Sequence, residues 1–233
     1  MALPKILIKF IRPFIVLLII VMLYMAYQEL KETETQAYRQ SQANIRTASS
    51  LIHAHLESTV SKFYILEQTW LEKGFGSYQE MVQQILLETP IYSDIILHSE
   101  SKDNYRSYRG TSLTKSSVKN LSWKRLHSYG DKFYVSSIYE KEPGHWVFAV
   151  KHSNPKLLFN MWIEFDLFYT TQHFKDLKTL ESGYVFVVDA TEKRLVFHPD
   201  PQRVGTRSIS YSAGIEEQVD NGFRFGTIEY YYK

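Results

Sequence analysis

The sequence predicts an α+β fold: a membrane-spanning N-terminal helix, a long helical stalk, then antiparallel sheet. Three observations carry this. Phe10 to Tyr27 is almost wholly apolar, Gln28 to Lys73 holds neither Gly nor Pro, and short apolar runs alternate with turn signals from Tyr92 onward.

The first segment is read as a membrane anchor. The span from Phe10 to Tyr27 is interrupted only by Arg12 and Pro13. At helical rise it covers roughly 27 Å, close to the hydrocarbon thickness of a bilayer. Lys5, Lys9 and Arg12 precede its apolar core, and Glu29, Glu32 and Glu34 follow it. That asymmetry places residues 1–9 in the cytoplasm and 28–233 on the exported side of the membrane. A cleaved signal peptide is the competing reading. It needs small residues before the cut, and Leu23 to Tyr27 is bulky, so an uncleaved anchor over 10–27 is expected.

Residues 28–73 then read as one stalk helix. Ile45, Ala48, Ile52, Leu56, Phe63, Leu66 and Trp70 recur at three- and four-residue steps, an amphipathic face that weakens before Asn44. A continuous helix here would reach about 65 Å, too long to bury itself in one small domain. The second half is expected to pack on its own domain and the first half to support homodimer contact near the membrane. Gly74 to Gly76 ends the stalk.

A short helix over Tyr78 to Leu87 follows, then a strand from Tyr92 to His98. Lys102 to Lys119 is polar and turn-rich, and Trp123 to Tyr129 is read as a short helix. Three strands come next, at Phe133 to Tyr139, Trp146 to Val150 and Phe159 to Phe165, divided by Pro143-Gly144 and Asn154-Pro155. Leu167 to Leu180 is read as a connecting helix. Tyr184 to Val188 and Leu195 to Phe197 then form a hairpin around the polar turn Asp189 to Glu192. Its side chains should alternate, with Tyr184, Phe186 and Val188 on one face and Val185 and Val187 on the other. Pro199 excludes helix at His198 and turns the chain outward.

Gly183, Asp189, His198, Pro199 and Gly205 of this hairpin stand as in the motif of Cache domains, the extracytoplasmic PAS-like sensors of bacterial receptors. The strand Met161 to Asp166, ending in Asp166-Leu167, is similar to the one preceding that family's connecting helix. Over about residues 30 to 230 the element order resembles a double Cache region. The resemblance implies a membrane-distal module over 74–180 and a partial membrane-proximal module over 181–233. It also implies further strands, a second span and a cytoplasmic effector beyond Gly226 to Lys233, so the sequence is expected to be part of a longer receptor, with a truncated sensor as the competing reading. It gives the five hairpin residues structural roles.

Several functions are disfavoured. The net charge of +2 comes from scattered basic residues, unlike a nucleic-acid surface. With no cysteine there is neither disulfide nor thiolate chemistry. No nucleophile elbow, phosphate loop or His-Glu-x-x-His motif is found, and neither enzyme activity nor a cofactor is expected. His53 and His55 diverge by about 200° on a helix and make a poor metal pair, so no metal site is expected.

The ligand expectation is a small molecule. The resemblance implies an Arg-x-Trp-Tyr run and a later Tyr-x-Asp that clamp an α-amino acid. Trp123 and Tyr139 match, but Leu121 and Lys141 stand at the Arg and Asp positions, so an α-amino acid is not expected. Trp123, Lys124, Tyr134 and Tyr139 are the candidate lining, with Lys124 favouring an anion. The competing reading is that Trp123 and Tyr134 fill the core. For the chain as a whole, the expectation is the small-molecule sensor region of a signalling receptor. The alternative is a membrane-anchored binding or structural protein that contacts a protein partner without signalling.

Overall fold

The computed structural model describes residues 5–99, 104–109, 121–155, 157, 159–179, 183–208 and 213–222. One helix, α1 (Lys5–Glu88), runs through the apolar span and the stalk, with non-helical backbone at Gly74. The absence of Gly and Pro from Gln28 to Lys73 lets the helix continue unbroken. Gly74, at φ 79, turns the chain because it carries no Cβ to clash in that region. The expected short helix is therefore the second part of α1. Every residue from Pro13 to Leu30 is exposed, and this part of α1 is long and apolar enough to cross a membrane.

Packing on the stalk begins where its apolar stripe strengthens. Asn44 donates to the Lys178 carbonyl at 2.7 Å, and Ala48, Phe63 and Leu66 are buried. Tyr78, Val82, Ile85 and Leu86 continue that core beyond Gly74.

A seven-stranded antiparallel sheet follows. Its strands are β1 (Tyr92–Ser99), β2 (Asn104–Ser107), β3 (Trp123–Arg125), β4 (Phe133–Ser136), β5 (Tyr139–Glu142), β6 (His145–His152) and β7 (Asn160–Asp166), in the order β2-β1-β7-β6-β4-β3, with β5 also on β6. Trp123 to Tyr129 is strand β3 followed by a single 3-10 turn rather than the expected helix. Pairing of Trp123 with Ser136 and of Arg125 with Tyr134 makes it an edge strand, a tertiary bond that outweighs local preference. The expected strand from Phe133 to Tyr139 divides into β4 and β5. Within the expected turn-rich segment, Asn104–Ser107 is strand β2, and residues 102–103 and 110–119 lie outside the described residues.

Alternation gives the sheet two faces. Ile95, Leu97, Phe133, Val150, Met161, Ile163 and Phe165 pack in one core with Phe63 and Leu66 of the stalk. Asp94, Ile96, Trp123, Tyr139 and Trp162 belong to the opposite face.

Helix α2 (Leu167–Phe174) is capped by Asp166, whose side chain accepts from the Phe168 and Tyr169 amides. It ends earlier than expected because Lys178–Thr179 (β8) pairs with Gly183–Tyr184 (β9). The hairpin then pairs Val187–Val188 (β10) with Leu195–Phe197 (β11). Val185 is buried while Tyr184, Phe186 and Val188 are half-exposed, so the set containing Val185 faces inward. A 3-10 turn (Pro201–Arg203) and α3 (Ala213–Asp220) complete the described chain. The segment Gly226 to Lys233 lies outside the described residues.

Candidate functional site

The sheet face turned away from the stalk carries a buried charge cluster. The Asp94 and Glu164 side chains are inaccessible, and that of Lys141 is 3% exposed. The Lys141 ammonium donates to Glu164 and lies 3.4 Å from Asp94 Oδ2. Tyr139 donates its hydroxyl to Glu164, and Ser107 donates to Asp94. Asp94 Oδ1 also accepts from the backbone amides of Ile95, Tyr108 and Arg109 at 2.8, 3.1 and 3.0 Å. Burial, and then the neighbouring Glu164, push the Tyr139 phenol well above its usual range. Two carboxylates thus share the Lys141 ammonium and accept further hydrogen bonds from neutral donors, which offsets their desolvation.

Beside the cluster is an aromatic patch. Trp123 meets Trp162 with ring centroids 5.0 Å apart, Tyr105 lies 5.5 Å from Trp162, and the Lys151 ammonium sits 4.6 Å from the Trp123 ring and 5.0 Å from that of Tyr134. Trp162 is 3% exposed. Its indole Nε1 is buried without a hydrogen-bond partner among the described residues. An unpaired indole donor is costly there unless something supplies an acceptor.

The candidate lining residues therefore divide. Trp123, Tyr134 and Tyr139 share this face. Lys124 is on the other, beside the stalk, because successive residues of β3 point to opposite sides. Leu121 packs with Ile96, Trp162 and Trp123. Reasoning from the sequence missed Asp94 and Glu164. The signal was there, an acid within each of two apolar strands, Tyr92 to His98 and Met161 to Phe165.

The hairpin residues sit at the seam with the C-terminal segment. Asp189 forms its turn, accepting from Thr191 at 2.7 Å, and its other oxygen accepts from the Ile138 amide at 2.9 Å, tying hairpin to sheet. His198 is 5% exposed, accepts from the Asp200 amide at 3.0 Å and meets Tyr184 edge-on. Burial is the first cause of its lowered pKa. Pro199 follows where β11 has ended. Gly183 pairs with Thr179. Gly205, at φ 81, lies so close to Trp146 that a Cβ would come within 2.1 Å of the ring, so a glycine is required.

On the stalk side lies a cavity of about 340 Å³. Its wall is mainly Ile52, Leu56, Val135, Phe148, Phe165 and Phe197, with Lys124, His55 and Asp189 also on the lining. Among the described residues no group of three or more His, Cys, Asp or Glu converges in a way that would hold a metal.

No protein-family model matches the sequence, and no curated protein matches it. Among solved structures, the ligand-binding domain of Mlp24 with asparagine is similar to this chain, with TM-score 0.53, 13% identity and coverage of 78% of each chain. The ligand-binding domain of the Pseudomonas fluorescens chemoreceptor CtaA in complex with L-serine aligns at TM-score 0.49, 12% identity and 80% coverage of each chain. The likeness to the first shows the fold: a long N-terminal helix against antiparallel sheet.

Proposed function

We propose that this chain is the extracytoplasmic small-molecule sensor region of a bacterial membrane signalling receptor. In this reading 10–27 is the anchor, 28–73 the stalk, 74–180 the membrane-distal Cache module and 181–233 part of the proximal one. The anchor and the stalk are one helix and the sheet packs on the stalk through Phe63 and Leu66, so a change at the sheet has a path to the bilayer. The shared fold with the Mlp24 ligand-binding domain supports the reading.

The ligand site is placed on the face holding Trp123, Tyr134, Tyr139 and Trp162. The observation that carries it is the buried indole donor of Trp162 beside carboxylates already engaged by Lys141. Such a face asks for an acceptor oxygen and, among the described residues, has no free carboxylate for an ammonium. The ligand is therefore a small oxygen-bearing molecule that stacks on Trp123, and not an α-amino acid, unlike the asparagine named with Mlp24.

The test is calorimetric titration of the full chain in lipid nanodiscs with α-amino acids and with matched carboxylic acids and amides lacking the ammonium. Binders should come from the second group and lose at least about tenfold in affinity on Trp123→Ala. Tight binding of an α-amino acid, or a binder indifferent to Trp123→Ala and Trp162→Phe, contradicts the assignment.

A further inference from the structure

The cavity on the stalk side is a different place with different chemistry. Its walls come from three parts of the chain: Ile52 and Leu56 from the stalk, Val135 and Phe148 from the sheet, Val187 and Phe197 from the hairpin. At about 340 Å³ it has the size of small-molecule sites. It corresponds to about eleven water volumes, yet its apolar wall offers water few partners. Apolar cavities of less than half this size stay dry and take up aromatic molecules.

Three charged or titratable groups stand on the lining: Asp189, His55 and Lys124. Asp189 is committed, one oxygen to Thr191 and Glu192 and the other to Ile138. His55 lies beside His173, with ring centroids 5.5 Å apart, and burial, then His173 and Lys62, lower its pKa, so it is not a standing cation there. Lys124 is exposed and makes no ion pair among the described residues. Its ammonium is the standing positive charge on the lining.

We infer that this cavity is a second ligand site, for a single-ring or medium-chain apolar molecule whose carboxylate meets Lys124. Occupation would brace the stalk at Ile52 and Leu56 against the hairpin, since all three walls would touch one body. This does not depend on the Trp123 face binding anything.

Fluorine NMR of para-fluorophenylbutyrate with the full chain in lipid nanodiscs, against empty nanodiscs, tests it. The full chain should show saturable binding in the micromolar to low millimolar range. Val135→Trp, which fills the cavity, and Ala190→Trp, which plugs its exposed rim, should each abolish it, while Trp123→Ala should leave it unchanged. Lys124→Gln should weaken the carboxylate about tenfold and leave the alcohol analogue unaffected. Ala190→Trp lies at the surface and keeps the test valid if Val135→Trp does not fold. Absence of saturable binding, or binding that survives Ala190→Trp, overturns the site. A Lys124→Gln variant with unchanged carboxylate affinity overturns the placement of the anionic end.

Discussion

Lys141 shows how one residue changes what a sheet face can hold. Its ammonium sits between two inaccessible carboxylates, so removing it strands two charges where water does not reach. Loss of one partner from such a buried pair costs about 3–5 kcal/mol. Lys141→Met should lower the denaturant midpoint accordingly, and adding Glu164→Gln should recover part of the loss. An unchanged midpoint would mean that the cluster is hydrated. From the sequence, Lys141 is legible only as a departure from a family pattern. Its partners are 47 and 23 residues away, and nothing local joins them.

At the level of elements, the hairpin and the stalk-to-sheet contact each yield a test. Phe197 is 1% exposed and meets Phe174 with ring centroids 4.7 Å apart, whereas Phe186 is half-exposed. Phe197→Ala should cost about 3–5 kcal/mol in chemical denaturation and Phe186→Ala clearly less. Equal losses would place the hairpin's inward face wrongly. His152 of β6 is inaccessible, stacks on Phe63 of the stalk and lies 3.4 Å from Glu67. Burial is the largest influence on it and lowers its pKa from 6.5; Glu67 opposes the shift and Lys132 adds to it. The folded state thus binds fewer protons than the unfolded chain below pH 6.5, and stability falls as pH drops from there toward the lowered pKa. His55 and His198 shift in the same direction. Melting temperatures between about pH 7.5 and pH 5 should fall, and His152→Phe should flatten part of that slope. A slope unaffected by the substitution would assign the pH dependence to other groups.

For the whole molecule, the question is which side of the membrane the sheet occupies. In the proposed reading, the basic residues before the apolar core and the acidic ones after Tyr27 put the sheet outside the cytoplasm. An export-dependent enzyme fused after Lys73 should be active, and a reporter that folds only in the cytoplasm should be inactive there. The opposite pattern would end the sensor reading.

Local patterning by itself determined the α+β class, the uninterrupted helix, the onset of stalk packing near Ile45, and the turn at Asp189. Each follows from spacing, Gly and Pro usage or side-chain hydrogen bonding within a few residues. Only the tertiary structure decided that Trp123 to Arg125 is an edge strand, that Lys124 parts from Trp123, Tyr134 and Tyr139, and that α2 stops at Phe174. It also decided that Asp94 and Glu164 hold Lys141 and that Gly205 lies against Trp146. The physical reason is common to all of these. Strand pairing, burial of charge and close backbone approach take their energy from residues distant in sequence, so no local pattern encodes them.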